Sequence, residues 1–109
     1  MMPFYKAAEL LGDRWTLLIA RQFLIEGSIS YTELLRRIPG IATNILSSRL
    51  EKLVSHGVIE VATDEADKRR RVYSPSRKVA SLVPVIRAIE LWAKKKRPTL
   101  GHHVRSSFS

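Results

Sequence analysis

The sequence predicts a mostly α-helical fold carrying one small β-hairpin, and three observations lead there. Apolar residues recur at helical spacing in segments bounded by glycine, proline or capping residues. Two short runs rich in β-branched or aromatic residues, "VIEVAT" (58–63) and "RRVYS" (70–74), flank one polar connection. The chain has 109 residues, 45% of them apolar, which suits a single folded domain with a modest core.

The first helix is predicted in "PFYKAAELLG", where Phe4, Ala8 and Leu11 share a face and Pro3 suits a first helical position. Gly12 ends it. Asp13 is a good N-cap for "DRWTLLIARQFLIEG", in which Trp15, Leu18, Ile19 and Phe23 form one apolar face and Leu17, Ala20 and Leu24 a second. This helix is expected to be central and buried on most sides. In "SYTELLRRIPG", Ser30 and Glu33 form a capping-box pattern. Tyr31, Leu34, Leu35 and Ile38 form the apolar stripe, and Pro39-Gly40 stops the helix. "ATNILSSRLEKLVSHG" follows, with Leu46, Leu50, Leu53 and Val54 as its buried stripe and Gly57 at the C′ position.

Two short helices joined by a tight Pro-Gly turn, behind a buried helix, fit a helix-turn-helix and fit an ordinary helical hairpin equally well. The β-hairpin placed directly after them shifts the balance, because that is the element order of a winged helix-turn-helix. The turn of the hairpin is then found in the acidic and basic stretch "TDEADKRRRVYSPS" (63–76). A last helix is predicted in "SLVPVIRAIELWAKKKRP", with Leu82, Val83, Ile86, Ile89, Trp92 and Ala93 on apolar faces, widened by Val85 and Leu91. Pro84 should start or kink it, and Ser76 can cap it. So small a domain offers little core to cover this helix, which points to a partner chain. The domain is expected to span 1–97, with a flexible tail over 98–109.

Charge and composition narrow the function. Lys plus Arg number 19 against 10 Asp plus Glu, a net charge of +9, and the excess lies in residues 63–109. An excess of this size attracts polyanions such as nucleic acid or an anionic membrane surface, and by itself does not say which. The absence of cysteine excludes disulfides, thiol nucleophiles and Cys-ligated zinc. No apolar run reaches the roughly 18 residues of a membrane span, and no secretory signal is evident, so a cytoplasmic protein is expected. Nothing forms a catalytic constellation, a Gly-rich phosphate loop or a metal site. The adjacent His102 and His103 are read as incidental, and neither enzyme activity nor a cofactor is expected.

"LLGDRWTLLIARQFLIEG", "SYTELLRRIPGIATNILSSRLEKLVSHGVIEV" and "LVPVIRAIELWA" together resemble the HxlR-type winged-helix regulators of the wider MarR-like group, over roughly Leu10 to Trp92. The resemblance implies a dimeric transcription factor joined through its terminal helices, here Phe4, Leu11, Val85, Ile89 and Trp92. It also implies that "TNILSSRLEKL" is the recognition helix. Two departures stand out. Members often carry an electrophile- or oxidant-sensing cysteine near the N-terminus, and this chain has none. Pro75, Ser76 and Val79 stand where the family has Leu-Thr-x-x-Gly. The wing is closer to the Asp-x-x-Asp-x-Arg wing of MarR regulators, which Asp67 and Arg69 match.

On that footing the candidate DNA contacts fall in three groups. Thr43, Asn44, Ser47 and Ser48 are short polar residues near the start of the recognition helix, where base edges come close, and Asn44 suits an adenine. Arg49 and Lys52 are long enough for phosphate or guanine. Ser30 and Tyr31 open the preceding helix, where amides and a hydroxyl can meet phosphate, although capping and core packing explain them as well. In the wing, Lys68, Arg69, Arg70 and Arg71 are the candidate cations, with Arg69 or Arg70 suited to a minor groove and Asp67 as their brace. Strand alternation should direct Arg69 and Arg71 to one side and Arg70 to the other. The expected function is a homodimeric, sequence-specific regulator bound to double-stranded DNA at a near-palindromic site. Its rivals are a non-specific DNA or chromatin binder and a winged-helix protein-interaction module. A small-molecule effector between dimer and wing is compatible with the group, but no residue here assigns one.

Overall fold

The computed structural model describes residues 2–95. Five α-helices and three short strands follow one another as α1 (Phe4–Leu11), α2 (Arg14–Glu26), β1 (Ile29–Ser30), α3 (Tyr31–Arg37), α4 (Thr43–Ser55), β2 (Ile59–Thr63), β3 (Arg71–Pro75) and α5 (Val83–Lys95). A 3-10 helix, Arg77–Leu82, leads into α5. This is the winged helix-turn-helix order, with α3 and α4 as the helical pair and β2–β3 as the wing.

The sheet has one strand more than the hairpin expected. β3 lies centrally, antiparallel to β2 on one side and to β1 on the other, so Tyr73 stands opposite both Ile29 and Val61. β1 is only two residues long, and its pairing partner lies more than 40 residues downstream, so no local pattern marks it as a strand. Ile29, Ile59 and Tyr73 all face inward and are buried.

The core gathers Ile19 and Phe23 of α2, Leu34 of α3, and Leu46, Leu50 and Leu53 of α4 against the sheet. The leucine stripe of α4 is the one its spacing predicts. Helix α2 differs from expectation: its buried stripe is Thr16, Ile19, Ala20 and Phe23, while Leu18 and Ile25 are exposed. Thr16 tolerates full burial because its hydroxyl donates to Asp13 Oδ2 at 2.7 Å. In α1 the buried residue is Leu10, with Leu11 half-buried and Phe4 exposed, and Pro3 precedes the helix as its N-cap.

Gly57 ends α4 with φ +71°, the left-handed conformation its C′ position requires. The Ser76 hydroxyl donates to the Val58 carbonyl oxygen at 2.8 Å and accepts from the Lys78 amide at 3.1 Å. Pro75 thus closes β3, and Ser76 caps the 3-10 helix rather than α5 itself. Pro84 sits in the first turn of α5, where its missing amide costs nothing. Ile86 is the buried residue of α5; Val83, Val85, Ile89, Leu91 and Trp92 are exposed. No helix among the described residues is long and apolar enough to cross a membrane. The tail expected over 98–109 lies outside the described residues, as do His102 and His103.

Candidate nucleic-acid interface

The polar face of α4 opposes its leucine stripe. Thr43, Asn44, Ser47, Ser48 and Lys52 are all exposed there, as helical periodicity requires once Leu46, Leu50 and Leu53 turn inward. The start of α3 stands beside it: the Tyr31 hydroxyl donates to the Thr43 carbonyl oxygen at 3.1 Å and lies 3.2 Å from Ser47 Oγ. Ser47 also shares a small cleft with Glu51, Val61, Arg71 and Tyr73. The polar face of α4, the start of α3 and the root of the wing therefore lie side by side.

A wide groove of about 720 Å³ runs between the start of α3 and the wing, lined by Ser30 to Glu33 on one wall and by Asp67 and Arg69 to Arg71 on the other. Within the wing, Asp67 Oδ1 accepts from the Arg69 amide at 3.1 Å and from Arg69 Nε at 3.4 Å. The Asp67 carbonyl oxygen accepts from the Arg70 amide at 2.9 Å, and Arg70 Nε lies 3.7 Å from Asp64 Oδ2. The turn is thus closed by its own acidic residues. Residues 68–70 belong to this turn and β3 begins only at Arg71, so strand alternation does not govern where Arg69 and Arg70 point. Arg69 is 92% exposed even with its Asp67 contact. Lys68 and Arg71 are also exposed.

Besides Tyr31, which is half-buried against the core, two further candidate residues are engaged within the protein. Ser30 is buried, and its hydroxyl accepts from the Glu33 amide at 3.2 Å. The reciprocal half of the capping box is replaced, because the Glu33 carboxylate is held by Arg36 at 3.0 Å and Arg37 at 2.9 Å. Arg37 also pairs with Glu26 at the end of α2. The Arg37 hydrogen bond, reinforced by the Arg36 charge, holds the Glu33 carboxyl below the usual carboxylate range, and Glu33 and Glu26 raise Arg37 in turn.

Arg49, the second, turns along the flank of α4 toward α2 and donates from Nε to Asp13 Oδ2 at 2.6 Å. Burial opposes the charge on Asp13. The hydrogen bonds from Arg49, from the Thr16 hydroxyl and amide and from the Trp15 amide more than offset this, and bring its pKa down to about 2. Asp13 is legible in the sequence only as a helix cap; its ionic partner lies 36 residues away, and no local signal points to it. Among the described residues no cluster of His, Cys, Asp and Glu could hold a metal ion.

The profile of the HxlR-like helix-turn-helix family matches residues 10–100. The chain belongs to the HxlR-like helix-turn-helix family. It is similar to the uncharacterised HTH-type transcriptional regulator YvaP of Bacillus subtilis, 33% identical over 90 residues that cover 83% of this chain and 82% of that one. A MarR-family transcriptional regulator of Porphyromonas gingivalis superposes with a TM-score of 0.74 at 31% identity, over 87% of this chain and 92% of that chain. A mutant MarR from Escherichia coli, solved in complex with operator DNA, matches with a TM-score of 0.59 at 20% identity, over 65% of this chain and 50% of that one. The last likeness is one of fold alone. The HxlR-like chain is thus of the winged helix-turn-helix transcriptional-regulator class.

Of the expected partner-facing residues, Phe4 is 86% exposed and Trp92 61%, while Val85 and Ile89 are also exposed. Leu11 instead packs in part against the chain's own core. Lys94 and Lys95 end α5, where positive charge complements the helix dipole. His56 is the C-cap of α4, its Nδ1 2.9 Å from the Lys52 carbonyl oxygen.

Proposed function

We propose that this HxlR-like chain acts as a homodimer that reads double-stranded DNA, each α4 lying in a major groove and each wing reaching the adjacent minor groove. The observation that carries this reading is the shared surface built by Tyr31, Ser47 and Arg71. It aligns an exposed, short-chained polar helix face with a basic, exposed wing. Short polar side chains suit base edges, and guanidinium groups suit phosphate or a narrow minor groove. The operator-bound MarR protein of the same fold supports this docking by likeness.

Association through α1 and α5 rests on the apolar side chains they leave exposed, Phe4, Val85, Ile89 and Trp92. Two-fold symmetry then predicts a near-palindromic operator with half-sites about one helical turn apart.

The test is selection of bound sequences from a random double-stranded pool. Enrichment of one motif with two-fold symmetry is expected, and Asn44→Ala should change the enriched bases within each half-site. Binding without enrichment would mean a non-specific DNA binder; no binding at low salt would leave the interaction-module reading.

A further inference from the structure

We infer that Asp13 and Arg49 form a positioning clamp that sets where the recognition helix α4 lies by tying it to the junction between α1 and α2. The inference rests on the DNA-reading role proposed above and deepens it, because it moves Arg49 from the set of DNA contacts to the machinery that aims them.

The leucine stripe of α4 decides which face is buried but constrains its position along its own axis only weakly, since apolar contact is non-directional. A charge-assisted hydrogen bond is directional and short-ranged. Arg49 Nε meets Asp13 Oδ2 at 2.6 Å, between two side chains that are each about three-quarters shielded from solvent. Asp13 is itself fixed: its carboxylate also accepts from the Trp15 amide at 3.4 Å, the Thr16 amide at 3.2 Å and the Thr16 hydroxyl at 2.7 Å. Thr16 is fully buried, so this anchor belongs to the core. On the α4 side the Arg49 Nη1 donates to Ser48 Oγ at 3.2 Å, which carries the constraint to a residue on the exposed reading face.

The same carboxylate follows directly on α1. The Gly12 amide donates to the Ala8 carbonyl oxygen at 2.7 Å, and a Cβ at Gly12 would stand 2.5 Å from that oxygen. Asp13 thus follows directly on the hydrogen-bonded C-cap of α1. The ion pair thereby ties α4 to the junction between α1 and α2.

The experiment measures operator affinity and its salt dependence for Arg49→Gln, Asp13→Asn, the double variant and Lys52→Ala, on the sequence enriched by the unmodified protein. Arg49→Gln leaves the Asp13 bonds to α2 intact, and circular dichroism melts check that each variant is folded. Each clamp variant should weaken binding about tenfold, the loss of apparent affinity when α4 holds its binding position only about a tenth of the time. The double variant should be no worse than the weaker single, and all three should keep the parent salt slope. Lys52→Ala should flatten that slope by about one, as removal of a lysine that meets a phosphate does. A flattened slope in Arg49→Gln would overturn the clamp and make Arg49 a DNA contact; full affinity in Asp13→Asn would overturn the clamp. If the unmodified protein enriches no sequence, the DNA reading fails while the clamp is still tested in free protein: Arg49→Gln should speed amide exchange over the first turns of α4, and unchanged exchange there overturns it.

Discussion

The Tyr31 hydroxyl donates to the Thr43 carbonyl oxygen at 3.1 Å, tying the first residue of α3 to the first residue of α4. Ser47 Oγ stands 3.2 Å from the same hydroxyl, so one phenol spans the first turn of the helix proposed to read DNA. Tyr31→Phe keeps the packing of the ring and removes only these bonds. Stability should fall by about 1 kcal/mol, the usual net worth of such a bond, as measured by urea unfolding. Operator affinity should fall several-fold, because the variant loosens the first turn of α4 and releases Ser47 on its exposed face. Unchanged unfolding would show that the tie contributes nothing in solution.

Local patterns in the sequence locate the helices because each carries its own period and its own stop. The Leu46, Leu50, Leu53 stripe, the Ser30 cap and the Gly57 terminus depend on neighbours within a turn or two. What escapes such patterns is non-local. β1 exists only because β3 returns to pair with Ile29 and Ser30. Arg49 looks from sequence like an exposed cation on a polar helix flank, and only the approach of α2 supplies its carboxylate. Alternating directions for the wing arginines presuppose a strand, but the Asp67 carbonyl and carboxylate close a turn there instead.

The wing supplies the next expectation. Arg69 holds Asp67 at 3.4 Å while 92% exposed, an ion pair that water and salt weaken and that a phosphate can replace at little cost. Replacing Arg69 and Arg70 together with Ala should weaken binding to every DNA sequence and reduce the salt slope by about one for each phosphate the wing no longer neutralises. Titrations of a fluorescent operator and a scrambled duplex at several salt concentrations read both effects. A slope identical to that of the unmodified protein would remove the wing from the interface.

Acid should destabilise the fold through Asp13. Its carboxyl is lowered from 3.8 to about 2 in the folded chain, so the stabilisation it gives is complete above the unfolded value. As pH falls from about 4 to about 2 the unfolded chain takes up a proton that the folded chain resists, and the contribution is lost. The shift corresponds to roughly 2 kcal/mol at neutral pH. Asp13→Asn keeps a capping side chain for α2 while removing the charge that Arg49 meets. It should lower neutral-pH stability by about that amount and flatten the stability profile between about pH 4 and pH 2. Urea midpoints across that range measure both; a profile as steep as the parent's would assign the acid sensitivity elsewhere.

The exposed apolar side chains of α1 and α5 carry the last prediction. Phe4 is 86% exposed and Ile89 44%, so neither is needed to fill this chain's own core. Phe4→Glu and Ile89→Glu should therefore leave the monomer folded, with an unchanged circular dichroism spectrum. In a dimer joined through these helices each would place a charge in a desolvated contact, weakening association by about thirtyfold or more if the residue is an anchor. Sedimentation at micromolar concentration should then show a dimer for the parent chain and monomers for the variants. Operator binding should fall as well, because two half-sites engaged by one particle hold far more tightly than either alone. A monomeric parent that still binds a palindromic operator as a pair would place dimerisation on the DNA, and dimeric variants would place the interface away from Phe4 and Ile89.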